Sequence, residues 1–293
     1  MPQRRTFALI GLVLLMVMWG STFVVTKATA REIPAGTLAA LRFLIATLVL
    51  VPIAWKQGGL SRLPRPLPWG SLVLMALTGI SGFALTFNYG LVYGSAAQGA
   101  LIYAALPAAI AVAAFTFLRE QPSRRRVVGI VLSVVGVILL IMAGESDSNS
   151  PDPIAGAMWM IGAVVSWTAY TVLSKRMPGS DTVISITLIS LIGTLFLIPV
   201  AAIELIQQPL PPVSISTWAG LLFLGVIASA LAYLVYGFAL RELDASLVGV
   251  YTNLDPIVGV LIAVLFFGET LHSGQIAGGL IAFAGMWLAS SDP

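Results

Sequence analysis

The sequence predicts an all-α integral membrane protein of ten transmembrane helices, built as two five-helix repeats of inverted topology with both termini cytoplasmic. Three observations carry this reading. Apolar residues make up 58% of the 293 positions and charged residues only 9%, with a mean hydropathy of +0.99; a soluble domain carries about 25% charge. The stretch WGSTFVVTK at 19–27 returns as WTAYTVLSK at 167–175, and Pro107, Glu120, Gly129 and Gly136 return 149 positions on as Pro256, Glu269, Gly278 and Gly285. Each half, 1–148 and 149–293, holds five apolar segments. A duplicated unit with an odd number of crossings sits upside-down relative to its twin.

About 20 apolar residues cross a bilayer core. Unbroken apolar length therefore places the spans near 7–27, 34–55, 69–93, 97–118, 127–143, 154–174, 182–206, 217–239, 246–267 and 274–290. The first carries Trp19. The second carries Arg42, roughly 10–12 Å inside its start at 1.5 Å per residue. Asn88, Tyr89 and Gly90 lie on the third, and Gln98, Tyr103 and Pro107 on the fourth. The fifth and tenth space their glycines for close packing, at the periphery or against each other. Trp167 and Tyr170 lie on the sixth, and Glu204 near the end of the seventh. The eighth holds Ser229, Tyr233, Tyr236 and Gly237, and the ninth Tyr251, Asn253, Asp255 and Pro256. Proline-rich 58–68, polar 144–153 and 207–216, with Pro209, Pro211 and Pro212, are helix-free connectors.

The net charge of +3 matters less than its distribution. Twelve of the fifteen Lys and Arg residues fall on the side of the N-terminus, and only Lys27 and Arg31 on the other. That bias orients the N-terminal side toward the cytoplasm, and it explains the arginine run at 124–126 without nucleic acid. Residues 1–30 imitate a secretory signal, with Arg4 and Arg5 before an apolar run and Ala28-Thr29-Ala30 after it. The run is too long, however, and the segment has an internal copy around Trp167.

Enzyme chemistry finds no support. Cysteine is absent, the sole histidine, His272, lies in a connector, and no phosphate-binding G-x-x-x-x-G-K-[ST] stretch is present. No cofactor and no metal are expected. A channel would need rings of charge or carbonyls that the sequence does not offer.

A carrier needs a midplane cavity, a few polar handles and helices that bend. Pro107 and Pro256 stand at equivalent places, and a proline inside a helix frees a carbonyl four residues back, here Tyr103 and Thr252. With Gly90 and Gly237 they are the candidate hinges. Trp19, Tyr89, Tyr103, Trp167, Tyr170, Tyr233, Tyr236 and Tyr251 are candidate cavity aromatics, because a buried Tyr or Trp needs a polar partner; Tyr89 and Tyr236 occupy matching places on the third and eighth spans. Asn88, Gln98, Ser229, Asn253 and Asp255 are the candidate polar handles. Asp255 could bind an ammonium, carry a coupling proton or cap backbone beside Pro256. Arg42 could bind a carboxylate, pair with Asp255, reach outward or act structurally, the last being favoured. The first, third, fourth, sixth, eighth and ninth spans are expected to line the cavity.

Arg42-Phe-Leu-Ile-Ala46, Asp255-Pro256 followed by Phe267-Gly-Glu269, and the glycine-spaced last span resemble the drug/metabolite transporter superfamily, specifically its EamA-domain members. The resemblance covers essentially the whole chain and is similar to the YddG-type exporters of aromatic amino acids and paraquat. The family usually has Glu where this chain has Asp255, and the first copy has Leu106-Pro107 with no acid. The resemblance implies a secondary transporter of a bacterial inner membrane, moving amino acids, aromatic or neutral, out of the cell by alternating access. The alternative cargo is a lipophilic or quaternary cation, and a channel is a more distant reading. Membrane lipid and a small-molecule substrate are the expected partners, with protons as a candidate coupling ion and a monomer or dimer as the assembly. A sugar-phosphate cargo is disfavoured, since no basic pair stands in the spans.

Overall fold

The computed structural model describes residues 2–58, 67–94, 99, 102–143, 151–177, 181–255, 257–258 and 273–290. Every regular element among them is helical, as apolar segments require when their backbone groups have no water to bond. α1 (Pro2–Gly20) and α2 (Thr22–Thr29) make up the first span, and α3 (Ala35–Lys56) the second. The third is α4 (Trp69–Ala76), a π-helical segment (Leu77–Gly82) and α5 (Phe83–Tyr93). α6 (Leu106–Ala113) widens into a π-helical end (Ala114–Leu118), and α7 (Arg124–Met142) follows. α8 (Pro153–Arg176) and α9 (Thr182–Gln207) open the second half. α10 (Ile215–Leu222), a second long π-helical segment (Phe223–Leu231) and α11 (Ala232–Glu242) form one rod. α12 (Ala245–Tyr251) and α13 (Ser273–Ser290) complete the described elements.

Six helical runs among the described residues are long and apolar enough to cross a membrane, and Leu106–Leu118 and Ile276–Ala289 are shorter apolar helices. Their outward faces carry Phe7, Leu14, Leu48, Val112, Met158, Val165 and Leu195, all exposed. In water such a surface would aggregate; against acyl chains it costs nothing.

The helices pack in matched pairs. α1 lies on α11, and α5 on α8; α3 crosses the second long π-helical segment, and α9 the first. α3 with α9, α6 with α12, and α7 with α13 each join counterparts from the two halves. The tightest is α7 on α13, where glycines let the backbones touch. A Cβ added at Gly129 would stand 2.6 Å from Ala289 N and 2.7 Å from Gly285 O.

Two departures from the expected spans have physical causes. The first helix breaks at Ser21, where Ser21 Oγ donates to Met18 O (2.6 Å) and Thr22 Oγ1 to Trp19 O (2.7 Å), hydroxyls competing for helix carbonyls. Pro107 does not kink a helix interior. The chain turns at 104–105 and restarts, leaving Pro107 in the first turn of α6, where its missing N–H has no bond to lose. The same turn recurs at Thr252–Asn253; Gln98, Pro256, Glu269 and His272 lie outside the described residues. Gly90 and Gly237 sit at close contacts, against Met160 and against Thr182 and Ile186.

Polar ties gather at the two ends of the bundle. At one end Glu120 accepts from Ala245 N (2.8 Å), Ser246 N and Ser246 Oγ (2.9 Å), capping α12, whose own Asp244 side chain makes no cap. Asp244 instead accepts from Arg126 Nη1 at 2.6 Å. Lys175 Nζ donates to Leu240 O and Leu243 O, and Arg176 to Phe117 O. At the other end Glu204 accepts from Gly36 N (2.9 Å), Thr37 N (2.6 Å) and Thr37 Oγ1 (2.9 Å), capping α3, whose N-cap Pro34 offers no side-chain acceptor. Nearby, Glu32 accepts from Ser214 N (2.7 Å) and Ser214 Oγ (2.8 Å). Carboxylates at helix starts satisfy orphan N–H groups and meet the positive end of the helix dipole.

Gly129→Ala should destabilise the fold by about 1–3 kcal/mol, because a backbone neighbour cannot yield. Gly70→Ala, whose Cβ would meet nothing within 4 Å, should leave the thermal midpoint in detergent unchanged; equal midpoints for the two variants would contradict the packing. The Ser214 donors hold the Glu32 carboxyl below its ordinary value of 4.5. A carboxylate with a depressed pKa stabilises the fold above its unfolded pKa and loses that contribution as pH falls through the folded one. The midpoint gap between wild type and Glu32→Gln should therefore be widest at neutral pH and close in the acid range below 4.5; a gap that grows on acidification would reverse the sign.

Candidate functional site

The interior between the two halves holds a cavity lined from both of them. α1 and α2 contribute Trp19, Thr22 and Phe23, α3 Arg42, and α5 Phe83 and Phe87. Tyr103 comes from the helical residues just before the turn that leads into α6, Trp167 from α8, Tyr233 from α11 and Asp255 from the helical residues just past the turn that ends α12. Its volume of about 20 Å³ has room for little more than a water molecule. Aromatic rings occupy the rest. Trp19 meets Trp167 edge-on at 5.1 Å between centroids and Tyr236 at 5.4 Å; Phe83 meets Trp167 at 4.7 Å; Phe23, Phe87 and Tyr103 form a second group at 5.0–6.0 Å.

The long π-helical segments explain how these rings are held. A π turn bonds five residues apart instead of four, which loosens the ladder and leaves carbonyls for other donors. Gly79 O, in the first segment, accepts from Tyr233 Oη at 2.6 Å. Ala228 O, 149 positions on, accepts from Trp19 Nε1 at 3.0 Å and from Arg42 Nη2 at 3.4 Å. Each half thus offers the same carbonyl inward, and a side chain crossing from the other half takes it. The exchange is not symmetric. Gly79 O takes a phenol where Ala228 O takes an indole and a guanidinium. Gly79 also has to be glycine, since a Cβ there would stand 2.8 Å from Tyr170 Cε2, inside its ring.

Arg42 is buried and neither reaches outward nor pairs with Asp255. Its Nε donates to Ser229 Oγ at 2.6 Å, and its guanidinium lies 5.4 Å from the Phe43 ring centroid. Asp255 is buried as well, and its Oδ1 has no hydrogen-bond partner among the described residues.

The other sequence candidates divide. Trp19, Tyr103, Trp167, Tyr233 and Asp255 line the cavity; Tyr170 and Tyr236 back it through ring contacts, Tyr236 Oη meeting Thr171 Oγ1 at 2.7 Å. Ser229 holds Arg42. Tyr89 lies elsewhere, stacked near Tyr93 and Trp159 and donating to Glu204 Oε1 at 2.6 Å. Asn88 Nδ2 donates to Ala35 O (3.0 Å), and Asn253 Nδ2 to Ser133 Oγ on α7 (2.7 Å), both ties between helices. Tyr251 is buried on α12. Sequence reasoning passed over Phe23, Phe83 and Phe87 because phenylalanine has no polar handle, and over Thr22, whose hydroxyl bonds its own helix at Trp19 O. Their spacing was the available signal: Phe23 follows Trp19 by four, and Phe87 follows Phe83 by four, so each pair shares a helix face.

The model of the EamA-like transporter family matches residues 6–142 and, a second time, 154–291. The chain belongs to this family. It is accordingly a transporter rather than an enzyme, and a multi-pass membrane protein. An Archaeoglobus fulgidus protein described as an uncharacterized transporter is 29% identical to this EamA-like chain over 96% of either sequence. A Salmonella typhimurium protein described as a probable amino-acid metabolite efflux pump is 28% identical over 94% of this chain and 92% of its own. A solved crystal structure superposes with a TM-score of 0.82 over 98% of both chains at 20% identity, a likeness of fold.

Tyr233→Phe keeps the ring and removes the donor to Gly79 O. The variant should unfold earlier, by about 1 kcal/mol, typical of one hydrogen bond. An unchanged thermal midpoint would mean that the π-segment carbonyl needs no cross-helix donor.

Proposed function

We propose that this EamA-like protein is a secondary carrier that exports amino acids, aromatic and neutral ones foremost, with related small metabolites. The observation that carries the reading is the aromatic cavity with one buried guanidinium and one buried carboxyl group in its wall. Indole and phenol faces stack on an apolar or aromatic side chain, and the charges answer an ammonium and a carboxylate. The name of the Salmonella typhimurium relative, an amino-acid metabolite efflux pump, supports the cargo class and the outward direction.

The proposed architecture is ten spans in two inverted halves, 1–148 and 149–293, with both termini cytoplasmic in a bacterial inner membrane. The helix pairing supports it, since the main inter-half contacts among the described residues have counterparts with the halves exchanged. So does the gathering of Arg4, Arg126, Lys175 and Arg176 at the Glu120 end, the side a positive-inside bias makes cytoplasmic. In this reading the halves rock about Pro107, Pro256, Gly90 and Gly237. The cavity, too small for an amino acid as described, widens as the ring pairs separate. The exporter works as a monomer, with Asp255 as the candidate proton carrier.

The rival cargo, a lipophilic cation, draws on the same electron-rich rings and Asp255. Arg42 in the same wall opposes it.

Labelled tryptophan, phenylalanine and threonine should enter proteoliposomes saturably, and preloading with unlabelled amino acid should accelerate entry several-fold. Uptake no greater than in empty vesicles, by protein that elutes as a folded monodisperse species, would sink the amino-acid reading; uptake that never saturates would point to a channel.

A further inference from the structure

The two charges in the cavity wall pose a physical problem. Arg42 is 5% exposed and Asp255 2% exposed, and both face the same aromatic cavity. Opposite charges this deep ordinarily pair, because each one alone costs several kcal/mol in a low-dielectric setting. Among the described residues these two form no ion pair, with each other or with any third group. Arg42 is instead clamped from one side. Nε is taken by Ser229 Oγ and one Nη2 proton by Ala228 O. A guanidinium has five N–H donors, so the outer fork of Nη1 and the second Nη2 proton is left over, held in place by bonds along its other edge. Asp255 lines the same cavity, and its Oδ1 is buried without a hydrogen-bond partner among the described residues.

Trp19 lines the same cavity as both. Its indole Nε1 shares Ala228 O with Arg42. Its neighbour Gly20 packs on Asp255, an added Cβ falling 2.7 Å from Asp255 O. A fixed fork, a fixed indole and a free carboxylate oxygen therefore stand around one small volume.

We infer that Arg42 and Asp255 are the carboxylate-binding and ammonium-binding poles of the substrate site, and that the carrier recognises its cargo as a zwitterion. The inference rests on the proposed amino-acid reading and deepens it. The outer fork of Arg42 matches a carboxylate with two parallel N–H···O bonds. Asp255 accepts from the ammonium, and the side chain of the cargo lies among Trp19, Phe83 and Trp167. One ligand of zero net charge answers both wall charges at once. A ligand lacking either group leaves a buried charge without a partner, and sites built to bond a group reject analogues without it. Arg42 is thus a specificity residue rather than only a brace between α3 and the π-helical segment, and Ser229 is a positioning residue that fixes the fork.

The test is competition against labelled phenylalanine in counterflow, with analogues that keep the ring. 2-Phenylethylamine keeps the ammonium and lacks the carboxylate; 3-phenylpropionate keeps the carboxylate and lacks the ammonium. On the wild-type carrier both should compete at least about tenfold more weakly than phenylalanine. Arg42→Gln should shrink the gap for 2-phenylethylamine and leave that for 3-phenylpropionate, and Asp255→Asn should do the reverse. Equal competition by either analogue on wild type overturns the inference while counterflow itself upholds the carrier. The wild-type comparison decides the matter even where a variant fails to fold. In variants that do fold, gaps that move together, or not at all, also overturn it. Absence of counterflow with every amino acid tried overturns the amino-acid reading, and this inference with it.

Discussion

The interior depends on two carbonyls, Gly79 O and Ala228 O, that the π-helical segments Leu77–Gly82 and Phe223–Leu231 present to donors of the opposite half. Lipid offers no hydrogen bonds, so every inward polar group must find its partner on another helix. In a continuous α-helix interior most carbonyls are bonded within the helix, and side chains make most of the outside contacts. By widening at equivalent places, each half exposes one acceptor to the other, and Tyr233, Trp19 and Arg42 are hung on them. The aromatic cluster, the burial of Arg42 and the shape of the cavity follow from those anchors.

The rigid parts lie away from that centre. Glu120 caps α12 at one end and Glu204 caps α3 at the other, each reaching across from a different helix. α7 and α13 are locked by backbone contact through their glycines. Between these clamps the cavity is closed mainly by ring-to-ring contacts. Such contacts are worth about 0.5–1.5 kcal/mol apiece beyond burial, so they separate and reform cheaply while the capped ends hold.

The helical spans were legible because hydropathy alone decides them, and the repeat was legible because Pro107, Glu120, Gly129 and Gly136 recur at one spacing. Of the residues that line the cavity, Trp19, Tyr103, Trp167, Tyr233 and Asp255 were legible as candidates, whereas Thr22 and the phenylalanines were not. Tyr89 shows where pairing by residue type misleads. Matching it to Tyr236 implies a spacing of 147, two short of the repeat. At 100° per residue, two positions turn a side chain by about 200°, to the opposite face. The partner at 149 is Phe87, and Phe87 lines the cavity. The π-helical segments had no signal, because LTGISG and FLGVIASAL read as ordinary apolar helix. The bonds of Asn88, Asn253 and Glu204 join residues 53 to 168 positions apart, and nothing local announces them.

The unequal use of the two carbonyls gives the cavity a handedness. With true two-fold symmetry, a bound molecule would have two equivalent poses related by half a turn. A phenol on Gly79 O, against an indole and a guanidinium on Ala228 O, removes the second pose. Three unlike groups then meet at the centre: a guanidinium, a carboxyl group and an aromatic wall. Three unlike points are the fewest that can tell a tetrahedral carbon from its mirror image.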